Sequence, residues 1–430
     1  MRIASVHFEA FKSLYDTTAE LGNLTVITGA NGSGKSNLVD GLVFVSNVYL
    51  YGLDFAVSHG GGYENVAHRR TRRARRPVRL VTESEMTEAE LRSAYPASLQ
   101  VRRTKSSRNE QRLFVRHDFS FRADSSRVTA DFSVVHERIS ILDDRRESLV
   151  DIVRTADGVA VSRSERAHPA ADLIDLALRP IERPEYFQDL RVPDSELMFA
   201  PRYLGGPFRQ VGRSLSAIRV FQLSPHTSRL SGVASPTAQL ERHGENLPGA
   251  ANRLRRTRPS AWARVVQEMR AIVPNLEDVQ ITYTEDRRLA VQFRESGLGR
   301  AWNASEVSDG TIQALALLIA IYDSRASVLV IEELENALHP WILRQLLRLC
   351  VESKRQIIIT SHSPVLLNSV DPRSIHLMWM RHGRSYLRPI TDFDPDVARA
   401  AVDGELSVFD VYDSGLIEEA LPQGFGVVPT

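Results

Sequence analysis

Disulfide scaffolds and cysteine-rich zinc centres are excluded at once, because the 430-residue chain has one cysteine, Cys350, in an apolar helical stretch. Lysine is nearly as scarce: only Lys12, Lys35, Lys105 and Lys354 occur, so almost all positive charge is arginine. Neither sign of charge is in excess. The formal net charge is +1, which excludes a global basic field and confines any nucleic-acid contact to a local patch. No signal-like apolar region opens the chain and no apolar run reaches membrane-spanning length. A soluble cytoplasmic protein with no membrane partner is expected. No long heptad array is present, which argues against two-stranded coiled-coil arms. The chain is long enough to bury a large core and to form two lobes.

Against this background one segment stands out. Gly29-Ala30-Asn31-Gly32-Ser33-Gly34-Lys35-Ser36 is a complete G-x-x-x-x-G-K-[ST] loop. The apolar run Leu24–Thr28 before it reads as a buried strand, and the segment from Asn37 to Val45 reads as a helix. This is the context that a phosphate-binding loop requires. Its glycines let the backbone wrap a polyphosphate with N–H groups pointing inward, and the helix N-terminus adds positive potential. Lys35 reaches the outer phosphates and the Ser36 hydroxyl ligates Mg²⁺. ATP and Mg²⁺ are the expected cofactors, with Asn37 completing the set of nucleotide-binding residues.

Three further segments bear on the same chemistry. Val328–Ile331 reads as a buried strand delivering Glu332 and Glu333 at its end. The first acid would help hold hydrated Mg²⁺ and the second would orient or deprotonate the attacking water. Glutamate at 332, where aspartate is commoner, pushes the carboxylate outward by one methylene. Gln356–Thr360 is another buried strand; it leads into His362, which is placed either to meet a γ-phosphate or to serve a structural role. Ser308-Asp309-Gly310-Thr311 opens a strongly apolar helix and is either an anion site or a plain N-cap.

These pieces, in this order, resemble the ATP-binding-cassette ATPase heads of the SMC and RecF type, over Arg2–Asn47 and Asn303–Asp371. More narrowly, Glu332-Glu-Leu-Glu-Asn-Ala-Leu-His-Pro340, Thr360-Ser-His-Ser-Pro364, Ser308–Thr311 and His243-Gly-Glu-Asn-Leu247 are similar to compact bacterial RecF-like ATPases with an AAA-type core. The resemblance implies nucleotide binding by Gly29–Ser36, Mg²⁺ and hydrolysis functions for Glu332 and Glu333, and a switch function for His362. It also implies that Ser308 and Gly310 cap the γ-phosphate bound to a second copy, giving an ATP-dependent homodimer. Gln100 and Gln111 are candidates for the glutamine loop of that family.

The expected fold is α/β: a P-loop NTPase of ABC/SMC-head type with an antiparallel β subdomain and a mainly helical insertion. The expected domains are the first part of the head over 1–83, the β subdomain over 84–169, the helical insertion over 170–275 and the second part of the head over 276–430. Alternating runs at Val78–Thr82, Leu99–Arg103, Arg112–Phe121, Val128–Val135 and Ser148–Arg154 predict the antiparallel sheet. Arg69–Arg76 holds six arginines in eight positions, a loop that either tracks DNA phosphates or is simply solvated. The chain after His362 is too short for an appended nuclease domain, so any DNA cleavage would fall to a partner nuclease. The leading expectation is an ATPase in DNA repair or other DNA-associated work. The alternative is the ATPase subunit of a two-gene anti-phage system. A transporter motor and a nucleotide-gated binding module with negligible turnover are weaker alternatives.

Overall fold

The computed structural model describes residues 1–68, 76–93, 95, 112–123, 131–155, 158–166, 168, 171–178, 192–199, 205–323, 325–414, 416–417 and 419. The predicted strand at Leu99–Arg103, Gln100, Gln111 and the arginines from 69 to 75 lie outside the described residues. The chain divides into two compact units, one of Met1–Leu21, Asn31–Ile218 and Met378–Leu387, the other of Gly22–Ala30, Arg219–Leu377 and Arg388–Thr430.

In the first unit, β1 (Arg2–Phe11), β2 (Leu14–Glu20), β4 (Val78–Thr87), β5 (Arg112–Ala123), β6 (Phe132–Leu142), β7 (Ser148–Thr155) and β8 (Gly158–Arg163) form a ladder in the order β8-β7-β6-β5-β4-β1-β2. Every pairing in that ladder is antiparallel. The predicted antiparallel sheet is thus present, and it continues through β1 and β2. Beyond β2, β16 (Arg384–Pro389) adds in parallel, with Ser385 opposite Leu14.

The helix Lys35–Tyr51 packs on this ladder because its sequence leaves room. A Cβ at Gly41 would lie 2.7 Å from the Phe8 ring, so glycine there lets helix and strand approach closely. Phe11 and Phe44 meet edge to face at 5.3 Å, and Phe44 stacks on Phe121 at 6.0 Å. Each such ring buried contributes about 1.5–3 kcal/mol. The far end of the helix is anchored by a buried polar network. Tyr49 OH lies 2.6 Å from His117 Nδ1, and His117 Nε2 lies 3.1 Å from Glu137 Oε1. Glu137 also accepts from the N–H groups of Met198 and Phe199 at 2.8 and 2.9 Å. All three side chains are buried, and pairing is what makes that burial tolerable.

The second unit holds β3 (Leu24–Thr28), β14 (Gln356–Thr360) and β13 (Val328–Glu332), with Ile375–Leu377 of β15 (Ile375–Arg381) and Arg219–Phe221 of β9 (Ile218–Phe221), in the order β15-β3-β14-β13-β9. The pairs β15–β3, β3–β14 and β14–β13 are parallel. Each residue of β13 and β14 is buried, which explains their uninterrupted Val/Ile/Leu character. The helix Asp309–Tyr322 is buried from Thr311 to Ile321. The helices Leu247–Thr257 and Pro259–Ile272 pack with it and with a separate antiparallel sheet of β10 (Leu276–Tyr283), β11 (Leu289–Glu295) and β12 (Trp302–Asn303). Cys350 is buried in the helix Pro340–Glu352, and burial pushes its thiol up to about 12, which makes it an apolar packing group. Among the described residues no helix is long and apolar enough to cross a membrane.

Candidate nucleotide site

The phosphate loop begins in the second unit at Gly29 and Ala30 and continues in the first from Asn31. Three of its glycines have positive φ: Gly29 at 151°, Gly32 at 78° and Gly34 at 109°. A side chain at such angles is strained, so the glycine spacing of the motif is a backbone requirement. Gly34 stands at the N-cap of the helix Lys35–Tyr51, and no side chain caps that helix. A helix N-terminus of this kind favours an anion through its backbone dipole. A Cβ on Gly32 would meet nothing within 4 Å. Among the described residues Ser33 Oγ is buried without a hydrogen-bond partner, an orphaned polar atom that a phosphate oxygen would satisfy. Ser36 is exposed and Lys35 half-buried. These features fit a polyphosphate with Mg²⁺ at Ser36.

Beneath the loop lies a hydroxyl cluster that motif reading did not single out. Asn37 Nδ2 donates to Ser13 Oγ at 2.6 Å, and Ser13 Oγ lies 2.7 Å from Ser385 Oγ on β16. Thr17 Oγ1 donates to the Ser385 carbonyl oxygen at 2.8 Å. A Cβ on Gly34 would come within 2.1 Å of Ser385 Oγ. Gly34→Ala therefore meets both a left-handed φ, costing about 1–2 kcal/mol, and a steric overlap. It should lower ATP affinity by about tenfold or more in an equilibrium fluorescence titration. Wild-type affinity would mean that the cluster does not limit the loop. Beside Asn37 is a cavity of 700 Å³ lined by Lys12, Ser13, Asn65, His68 and Gly383, among others. It is large enough for a nucleoside. Lys12 Nζ is held at 2.5 Å by Asp40.

In the second unit the C-terminal ends of three parallel strands come together. Thr360 is opposite Ile27 on one side and Glu332 on the other. Ser361 N–H donates to the Ile27 carbonyl at 3.1 Å, and Glu333 N–H donates to the Thr360 carbonyl at 2.9 Å. Gly29, Glu332–Glu333 and Ser361–His362 thus share one sheet edge. Such an edge is where open α/β sheets bind ligands.

Glu332 is the last residue of β13 and is 7% exposed. Arg242 Nη2 donates to its Oε1 at 2.7 Å. Glu333 has φ 53°, so the chain turns sharply at that point. Its exposed carboxylate accepts from Asn336 Nδ2 at 2.7 Å. His362 is half-buried, and its N–H donates to Glu335 Oε1 at 2.9 Å. Arg242 lies outside the quoted motifs, and Glu335 and Asn336 lie inside the run Glu332–Pro340 without a role assigned to them there.

Ser308 caps the helix Asp309–Tyr322: its Oγ accepts from Thr311 N–H at 3.2 Å. Of the two roles open to it, the local cap is the one occupied. Arg229 braces this turn by donating to the carbonyls of Ala304 and Val307, each at 2.9 Å, and pairing with Asp309 at 2.6 Å. A Cβ on Gly310 would lie 3.0 Å from the Ala337 carbonyl oxygen, which sets the turn against the segment following Glu333. Among the described residues no group of three or more His, Cys, Asp or Glu side chains forms a metal cluster.

Residues 24–368 match the profile of a family described as "AAA domain, putative AbiEii toxin, Type IV TA system". The chain belongs to this AAA-domain family. The matched span runs from β3 to just beyond His362 and contains the loop Gly29–Ser36, Ser308, Gly310, Glu332, Glu333 and His362, while Ser13, Thr17 and Ser385 of the hydroxyl cluster lie outside it. The P-loop ATPase type read from the motifs is thereby borne out, as is the mixed α/β fold. Similar solved structures include an Smc head bound to the C-winged helix domain of ScpA, at 14% identity over 90% of this chain and 98% of that one, TM-score 0.49. The SMC head domain from Thermotoga maritima has 15% identity over 91% and 99%, TM-score 0.40. An Smc head with an extended coiled coil, bound to the C-terminal domain of ScpA derived from Pyrococcus furiosus, has 14% identity over 94% and 99%, TM-score 0.45. No curated protein matches the sequence.

Proposed function

We propose that this AAA-family chain binds ATP in the loop Gly29–Ser36 and hydrolyses it to ADP and phosphate. The observation that carries this reading is the sheet edge where Gly29, Glu332–Glu333 and His362 meet. Loop N–H groups and Lys35 hold the phosphates, and the cavity beside Asn37 takes the nucleoside. Mg²⁺, held by Ser36 Oγ and Glu332, would neutralise charge building on the transferred phosphoryl group. Glu333, exposed and turned outward, orients water and accepts its proton. His362 donates to the γ-phosphate and reports its presence.

Two copies would then close on two ATP molecules through one isologous interface, with Ser308–Gly310 of each facing the partner's phosphate loop. ATP occupancy would thereby control assembly, and assembly would control contact with DNA, with Arg69–Arg76 as the phosphate-tracking segment. A second reading is favoured by the family's own description, which refers to a toxin and a toxin–antitoxin system. In it the same cycle governs a partner nuclease in anti-phage defence.

The dimer is tested with Glu333→Gln, which should retain ATP. In light scattering that variant should run as a dimer with ATP, and wild type with ADP as a monomer. Adding Ser308→Arg should abolish the dimer while ATP binding within each chain persists, because a bulky cation would occupy the partner's phosphate site. A Ser308→Arg protein that still dimerises with ATP would overturn the head-to-head arrangement.

A further inference from the structure

The segment from Arg242 to Asn246 takes no part in the nucleotide chemistry described above, yet it is tightly built. Gln222 N–H donates to the Arg242 carbonyl at 2.8 Å and Ser224 N–H to the His243 carbonyl at 3.0 Å. His243 N–H donates to the Glu245 carboxylate at 3.0 Å. Gly244 has φ +93°, and a Cβ there would lie 2.0 Å from Ser228 Oγ, so the turn accepts only glycine. Asn246, at φ 59°, accepts from Val233 N–H at 2.9 Å and donates to the Gln239 carbonyl at 3.3 Å. These bonds fix where the Arg242 side chain starts, and it ends on Glu332 at 2.7 Å. The arginine side chain is 37% exposed and the carboxylate 7%. A partly solvated cation thus reaches a buried acid.

Two effects of Arg242 on a metal at Glu332 oppose each other. Its guanidinium repels a second cation, but that repulsion is weakened by the carboxylate between them and by solvent around the arginine. Without Arg242, Glu332 would be a buried charge lacking this partner, and its long side chain would be free to turn away. Loss of one partner from a buried pair is the larger cost. We propose that Arg242 is a positioning residue for Glu332: by holding Oε1 it keeps the longer glutamate aimed, leaving its other oxygen for Mg²⁺. The turn at His243–Asn246 exists to place it. This rests on the reading of Glu332 as a magnesium carboxylate.

The test is ATP affinity by isothermal titration, first in EDTA and then across a Mg²⁺ series. Arg242→Ala should bind ATP in EDTA as wild type does. It should need about 10–100-fold more Mg²⁺ to reach half of the metal-dependent gain in affinity, the usual scale when a group orienting a metal ligand is removed. Arg242→Lys should fall between the two, and Gly244→Ala should behave like Arg242→Ala. Glu332→Gln should remove the metal-dependent gain, and Arg242→Ala added to it should change nothing more. An unchanged or lower Mg²⁺ requirement in Arg242→Ala overturns the proposal, as does an equal loss of affinity with and without Mg²⁺. If Glu332→Gln itself keeps the wild-type Mg²⁺ dependence, the magnesium reading of Glu332 is wrong and the proposal falls with it.

Discussion

Glu333→Gln should keep ATP binding while steady-state turnover falls by about 10²–10⁴-fold, the scale for losing a positioned base. The isosteric amide keeps a hydrogen-bonding group beside Asn336, whose Nδ2 now donates to Glu333 Oε2 at 2.7 Å. It cannot take a proton from water. Glu332 is not an equivalent base, because its carboxylate is buried and engaged by Arg242. A phosphate-release assay with parallel ATP titration separates the two acids. Full activity in Glu333→Gln with none in Glu332→Gln would mean that their roles are exchanged.

Lys35→Ala should lower ATP affinity by about tenfold to a hundredfold or more, since a hydrogen bond to a charged group contributes about 1.5–3 kcal/mol and the proposed site has this lysine serving several phosphate oxygens. The loop itself should survive, because its shape is set by Gly29, Gly32 and Gly34 and by the bonds among Asn37, Ser13 and Ser385. Unaltered thermal unfolding without nucleotide, together with the loss of ATP-induced stabilisation, is the expected pair of results. Wild-type affinity in a folded Lys35→Ala protein would remove the phosphate-loop reading.

The parts of this site that were legible in the sequence are those whose chemistry is local. The glycine spacing of the phosphate loop, the apolar runs of β13 and β14 and the acids at the end of β13 all follow from neighbouring residues. The strand at 328–332 extends one residue past the predicted Ile331, so Glu332 belongs to the strand and Glu333 begins the turn. What neighbours could not reveal is pairing across the chain. The contact of Ser13 with Ser385 spans 372 residues and that of Arg242 with Glu332 spans 90. No periodicity encodes either. The β15–β16 turn is legible locally: His382-Gly383, with φ 51° and 74°, is a two-residue turn of the kind that joins antiparallel strands. Ser308 shows the opposite case, a residue whose local role as a cap was as legible as any distant one.

The proposed nucleotide site puts the phosphates of ATP on the loop Gly29–Ser36. A crystal structure of the Glu333→Gln protein grown with ATP and Mg²⁺ tests it most directly. The phosphates should lie within about 2.7–3.2 Å of the loop N–H groups, with Lys35 Nζ on the outer phosphates and Mg²⁺ at Ser36. A nucleotide bound elsewhere, or an empty loop at saturating ATP, would contradict it.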